Sequence, residues 1–122
     1  MSDVFLDPSR EPGLYFLHDC FVVPEADRAA FTDRMEQNLA FIRTLPGFRG
    51  HLVLEQRDGA STFNLVTLAA WASREAYGDA GRQVRTHYQR LGFDLPAALK
   101  RWGVEMVRGT YQARRPQDFP AV

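Results

Sequence analysis

Apolar positions recur along this chain with two periods, and each change of period marks the end of one element. From Leu14 to Val23 the residues alternate between two faces. Leu14, Phe16, His18, Cys20 and Val22 share one face, while Tyr15, Leu17, Asp19, Phe21 and Val23 share the other. A period of two predicts a strand. Both faces are mostly apolar, and each carries one polar residue mid-strand, His18 and Asp19. Pro24 ends the strand. Its fixed φ suits a first helical turn, and Glu25 and Asp27 favour the positive end of a helix dipole. Phe31, Met35, Leu39, Ile42 and Leu45 then fall on one stripe at helical spacing, with Arg28, Asp33, Glu36 and Arg43 off it. Pro46-Gly47 closes that helix.

Alternation resumes in a second strand, Phe48 to Gln56. Phe48, Gly50, Leu52 and Leu54 oppose Arg49, His51, Val53 and Glu55. Asp58-Gly59 is a hairpin signal, so Phe63 to Trp71 is expected as a third strand antiparallel to the second. Ser73 suits an N-cap, and Tyr77, Ala80, Gly81, Val84, Tyr88 and Leu91 form the stripe of a second long helix. Gly92 breaks it. Asp94 caps a short helix from Leu95 to Trp102, and Val104 to Ala113 alternates as a fourth strand. Met1 to Gly13 and residues 114–122 are polar and rich in Pro, an expected loose arm and tail around a domain at 14–113. Val4, Phe5 and Leu6 are the residues of the arm suited to docking on a surface.

This order of elements predicts an α+β, ferredoxin-like (split βαβ) fold: a four-stranded antiparallel sheet with its helices on one face. The first and third strands are apolar on both alternations, as in Leu65, Ala69 and Trp71 against Val66, Leu68 and Ala70. A sheet with helices on one side and a second apolar face calls for a cover. The economical cover is a second copy of the chain, packed sheet to sheet as a two-fold homodimer.

Composition adds limits. The chain has 122 residues, 45% of them apolar and 25% charged, with Lys plus Arg equal to Asp plus Glu at 15 each. That charge balance, without a basic run longer than Arg114-Arg115, argues against nucleic acid as a partner. No stretch approaches the ~20 consecutive apolar residues of a membrane span. Cys20 is the single cysteine, which excludes an intrachain disulfide. The N-terminus has acids where a signal peptide needs basic residues, so a cytoplasmic location is expected.

Several side chains bear chemistry, each with a plain structural alternative. His51 and His18 can accept a proton near neutral pH, yet His51 shares its face with Arg49 and Glu55 and His18 sits among apolar neighbours. Asn38, inside the first helical stripe, is either a buried amide bonded to nearby backbone or a polar group in a cavity wall. Gly81 marks either close packing or room for a ligand. Trp71 is a core anchor or a donor. The three histidines have no metal-ligand spacing to carboxylates.

Three segments carry a family resemblance: Phe21-Val22-Val23-Pro24-Glu25, Leu45-Pro46-Gly47-Phe48-Arg49-Gly50 and Trp71-Ala72-Ser73-Arg74-Glu75-Ala76. Through them the chain, from about Leu14 to Ala113, resembles the antibiotic biosynthesis monooxygenases, dimeric α+β barrels. The resemblance implies oxygenase chemistry needing neither metal nor flavin. It also implies roles for Trp71 and Tyr77, because relatives that oxidise polycyclic aromatics have a Trp and, six residues on, a Tyr. Thr67 stands where those relatives keep an Asn, and Leu91, beside Arg90, where they keep an Arg. Relatives that degrade haem use a His on the second helix, where this chain has His87, and an Asn in the first strand, where it has none.

The expected function is that of a cofactor-independent monooxygenase-like protein acting on a small aromatic, phenolic or quinone-type metabolite. Trp71, Tyr77 and His51 are its candidate catalytic residues, and Phe31, Met35, Asn38, Thr67, Val84 and Tyr88 its candidate substrate-binding residues. The alternatives are a non-catalytic ligand-binding or structural dimer of the same fold, with a filled, dry interior, and a haem-binding protein.

Overall fold

The computed structural model describes residues 6–114. Residues 1–5, with Val4 and Phe5 of the expected arm, and 115–122 of the expected tail lie outside the described residues. Strand β1 spans Tyr15–Val22, helix α1 Arg28–Ile42, β2 Phe48–Glu55, β3 Leu65–Trp71, α2 Arg74–Leu91, α3 Leu95–Arg101 and β4 Glu105–Tyr111. The strands form one four-stranded sheet in the order β2-β3-β1-β4, and every neighbouring pair is antiparallel. This is the α+β ferredoxin-like arrangement.

The helices cover the sheet face that carries Leu17, Asp19 and Phe21 of β1 and Leu65, Thr67, Ala69 and Trp71 of β3. Two apolar clusters join the layers. Phe21, Val23, Phe31, Leu65 and Val104 form one, with Met35, Leu99, Trp102 and Met106 packed against it. Ile42, Trp71 and Ala80 form the other, with Tyr15, Leu39, Phe41, Leu45, Phe48, Tyr77 and Val84 around them. The opposite sheet face is bare of helix, and on it Leu52, Leu54, Val107 and Tyr111 are each at least half exposed.

Local chemistry places the element ends. The Ser73 hydroxyl accepts from the Ala76 N–H and starts α2; Gly92, at φ 65°, ends it in the left-handed region. The Asp94 carboxylate accepts from the Ala97 N–H and starts α3. Pro24 does not open α1. It keeps an extended ψ of 141° ahead of a single 3₁₀ turn, Glu25–Asp27, and α1 follows from Arg28.

Four further expectations change. β3 begins at Leu65, because Asn64 is used as a clamp: its side chain accepts from the Val23 N–H at 2.9 Å and donates to the Val23 carbonyl at 2.8 Å. In β2 the register shifts between Phe48 and Gly50. That irregularity sets Phe48 opposite Trp71, with its ring edge-on to the indole at 5.6 Å. Strict alternation had placed Phe48 with Leu52 and Leu54. Gly81 neither packs closely nor faces a cavity; a Cβ there would meet only the Arg85 guanidinium, at 3.7 Å. Leu91, the last residue of the expected α2 stripe, is 53% exposed.

Candidate functional site between sheet and helices

A cavity of about 110 Å³ lies between the inner sheet face and the helices. The sheet supplies Leu17, Asp19 and Phe21 from β1, His51 from β2, Thr67 and Ala69 from β3, and Met106 and Arg108 from β4. Helix α1 supplies Phe31, Arg34, Met35, Asn38, Leu39 and Ile42. Tyr88 enters from α2, and Leu95, Leu99 and Trp102 close the side nearest α3.

Strand register explains how distant residues meet on its floor. Arg108 pairs with Asp19, Asp19 with Thr67 and Thr67 with Val53, a row running across all four strands. One row along, Leu17 pairs with Ala69 and Ala69 with His51. Residues opposite each other in antiparallel strands point to the same face, so Arg108, Asp19, Thr67 and His51 converge on the floor.

Asp19 is 6% exposed, and burying an unpaired carboxylate is costly. Arg108 answers it in a forked contact: Nε donates to Oδ1 at 2.8 Å and Nη2 to Oδ2 at 3.0 Å. The bond to Asp19 holds the Arg108 guanidinium above its ordinary pKa, with burial acting in the other direction. Tyr88 is pushed above 10.0 by burial, while Arg34 and Arg108 pull it back; it remains a neutral phenol at physiological pH. His51 is shifted the opposite way. Burial, then the Arg43 guanidinium, hold its pKa below 6.5 against a smaller opposing effect of Asp19. Arg34 stacks on the Phe93 ring at 4.1 Å. Asn38 Oδ1 is buried without a hydrogen-bond partner among the described residues.

Phe31, Met35, Asn38, Thr67, Tyr88 and His51 of the expected site therefore share this cavity. Trp71, Tyr77 and Val84 do not line it. They belong to the second apolar cluster, which has Leu39 and Ile42 in common with the cavity wall. Trp71 is 3% exposed, and its indole N–H lacks a partner among the described residues. Tyr77 packs its ring on Tyr15 at 5.3 Å. His18 faces the outer side of the sheet, its Nδ1 3.6 Å from Cys20 Sγ, and His87 stacks flat on Phe41 at 3.9 Å. Among the described residues no group of three His, Cys, Asp or Glu side chains is arranged to hold a metal ion.

No family model and no curated protein matches the sequence. Solved structures do. SnoaB, a cofactor-independent oxygenase from Streptomyces nogalater, is 28% identical over 84% of this chain and 95% of its own, with a TM-score of 0.63. In structure, the chain resembles the antibiotic biosynthesis monooxygenases. A proposed antibiotic biosynthesis monooxygenase from Nitrosomonas europaea shares the fold at 16% identity, covering 85% of this chain and 93% of its own, with a TM-score of 0.64. A proposed monooxygenase from Shewanella loihica PV-4 shares it at 21% identity, covering 84% and 96%, with a TM-score of 0.66.

Neither Asp19 nor Arg108, paired on the cavity floor, is among the site residues expected from the sequence. Asp19 stood out as a polar residue in an apolar strand, but Arg108 looked like one polar position of an alternating strand. The available signal was the opposite charge of the two inward-facing positions. Only the β1–β4 register brings them together.

Proposed function

We propose that this chain is a cofactor-independent monooxygenase-like protein acting on a small aromatic or phenolic substrate in the sheet–helix cavity. The observation that carries the reading is His51. It is a base biased to its neutral form, set in a mostly apolar cavity that also holds a buried acceptor, Asn38 Oδ1, without a partner among the described residues. The likeness to SnoaB supports it.

The chemistry asked of the protein is modest. An electron-rich phenol or activated methylene, once deprotonated, can itself reduce dioxygen. When a methylene becomes a carbonyl, or a phenol its quinone, one oxygen atom enters the product and the other leaves as water, with all the electrons drawn from the substrate. The chain's part is to accept the proton, steady the developing anion and keep water out. His51 serves as proton acceptor, Arg108 and the Tyr88 hydroxyl as donors to the anion, and Phe31 and Met35 as apolar wall. An apolar cavity of ~150 Å³ holds benzene. At about 110 Å³ the present one suits no more than a single ring, and that ring needs a small outward movement of the walls. Haem is far larger, and His87 is committed to Phe41.

A non-catalytic small-ligand binder is the second reading. It draws support from the placing of Trp71 and Tyr77 in packed apolar surroundings outside the cavity. In both readings two copies pair through the outer sheet face, covering Leu52, Leu54, Val107 and Tyr111.

Oxygen uptake with a panel of one-ring phenols separates the readings. The oxygenase reading expects turnover that His51→Gln and Asn38→Ala each reduce more than Tyr77→Phe does. Binding of the same phenols with no uptake would favour the binder.

A further inference from the structure

The charged groups around the cavity are unequal in number. Arg34 and Arg108 line it with full positive charge, against the single carboxylate of Asp19. His51 and Tyr88 are both biased towards their neutral forms. One positive charge is left over in a partly buried, mostly apolar space, where it acts more strongly than in water.

Hydrogen bonding points the same way. A guanidinium has five N–H donors, and Asp19 engages Nε and Nη2 of Arg108, which leaves the Nη1 edge without a partner among the described residues. Because the fork with Asp19 fixes the plane of the guanidinium, that free edge is already oriented. Arg34 has its face on Phe93 and no carboxylate partner among the described residues. Asn38 Oδ1, the buried acceptor, lacks a donor among the described residues. A half-exposed guanidinium edge and a buried acceptor without a partner among the described residues suit an anionic oxygen and a hydroxyl on a body the size of one ring.

We propose that the cavity is a receptor for a one-ring hydroxylated aromatic oxyanion, with Arg108 contacting the anionic oxygen and Asp19 acting as the positioning residue for Arg108. The proposal rests on reading the cavity as a ligand site and adds charge, size and the anchoring residue to that reading. It is independent of whether the occupant is oxidised. The oxyanion is a carboxylate on the ring, and the ring hydroxyl is the group offered to Asn38.

Calorimetric titration with 4-hydroxybenzoate and with its neutral, similarly shaped amide, 4-hydroxybenzamide, tests this directly. The wild-type protein is expected to bind the carboxylate at least ~10-fold more tightly, the scale of one charge-assisted hydrogen bond. Arg108→Gln should erase the preference. Asp19→Asn keeps one acceptor oxygen to hold the Arg108 guanidinium in position but removes the competing carboxylate charge, so it should increase the preference severalfold. A merely structural ion pair would not move the two variants in opposite directions. Since Arg108→Gln strands a buried carboxylate, the neutral pair Asp19→Asn/Arg108→Gln, with its fold checked by circular dichroism and thermal melting, supplies the second measurement and should also show no preference. Equal affinity for the two probes, binding of neither, or a carboxylate preference that survives in the double variant would overturn the proposal. Oxygen uptake with neutral phenols and no carboxylate preference would sink this inference and leave the oxygenase reading standing. Carboxylate binding without uptake would do the reverse.

Discussion

His51 is pressed towards neutrality from two sides, by its burial and by the Arg43 guanidinium, with Asp19 opposing less strongly. Its folded pKa lies below 6.5, so kcat/KM should be flat near neutral pH. It should fall only when pH drops below 6.5, through the folded value, and the limb should vanish in His51→Gln. The same shift bears on stability. Below 6.5 the unfolded chain binds the proton more readily than the folded one, so the contribution of His51 is full above 6.5 and is lost as pH falls. Melting temperature measured against pH should therefore drop less steeply on the acid side in His51→Gln than in the wild type. Asp19 gives a second residue-scale test. Arg108→Ala leaves it buried and unpaired, at an expected cost of about 1–3 kcal/mol in denaturant unfolding, moderated because Arg108 itself is 46% exposed. Asp19 announced itself in the sequence as an acid in an apolar strand. Its partner did not, lying 89 residues away and reached only through strand pairing. His51 was visible as a candidate base, but alternation showed Arg49 and Glu55 beside it and suggested solvent. The burial supplied by α1 was hidden from any local pattern.

Among the elements, the junctions hold more information than the strands themselves. Gly47 adopts φ 83°, and a Cβ on it would stand 2.5 Å from the Ala76 Cβ. Its carbonyl also accepts from the Ala72 N–H at 2.7 Å. The Leu45-Pro46-Gly47 segment is thus a contact point between the end of α1 and the start of α2, not only a turn. Gly47→Ala suffers both the left-handed strain and the collision, and should lower unfolding free energy by about 1–3 kcal/mol. Asn64→Ala, which frees both backbone groups of Val23, should cost about as much. Chemical denaturation at fixed pH measures both. The Pro-Gly signal, the Ser73 cap and the periodicities of α1 and α2 were all readable from the chain. The β2 irregularity and the Asn64 clamp were not, because each depends on what lies opposite in space. That is also why Phe48 could not be assigned to the Trp71 side by alternation.

On the scale of the whole molecule, two surfaces of one sheet have different fates. The inner face is covered by helices and encloses the cavity. The outer face shows Leu52, Leu54, Val107 and Tyr111, a row of side chains whose burial would contribute roughly 25 cal/mol per Å². Sedimentation or sizing at micromolar concentration should find a dimer, and a pair of charges, Leu52→Lys with Leu54→Lys, should shift it towards monomer without unfolding it. A wild-type monomer would contradict the sheet-to-sheet pairing. Two-sided apolarity of β1 and β3, with the order of the elements, made the uncovered apolar sheet face legible in the sequence. The cavity was less legible, since its walls come from seven elements. Trp71 and Tyr77, singled out through family resemblance, lie in the neighbouring apolar cluster and not in the cavity lining. Oxygen consumption by chelator-treated, flavin-free protein supplied with one-ring phenols tests the central claim most directly. The expected result is uptake matched by oxidised product and reduced at least ~100-fold in His51→Gln. No uptake across the panel, or uptake undiminished by that substitution, would contradict it.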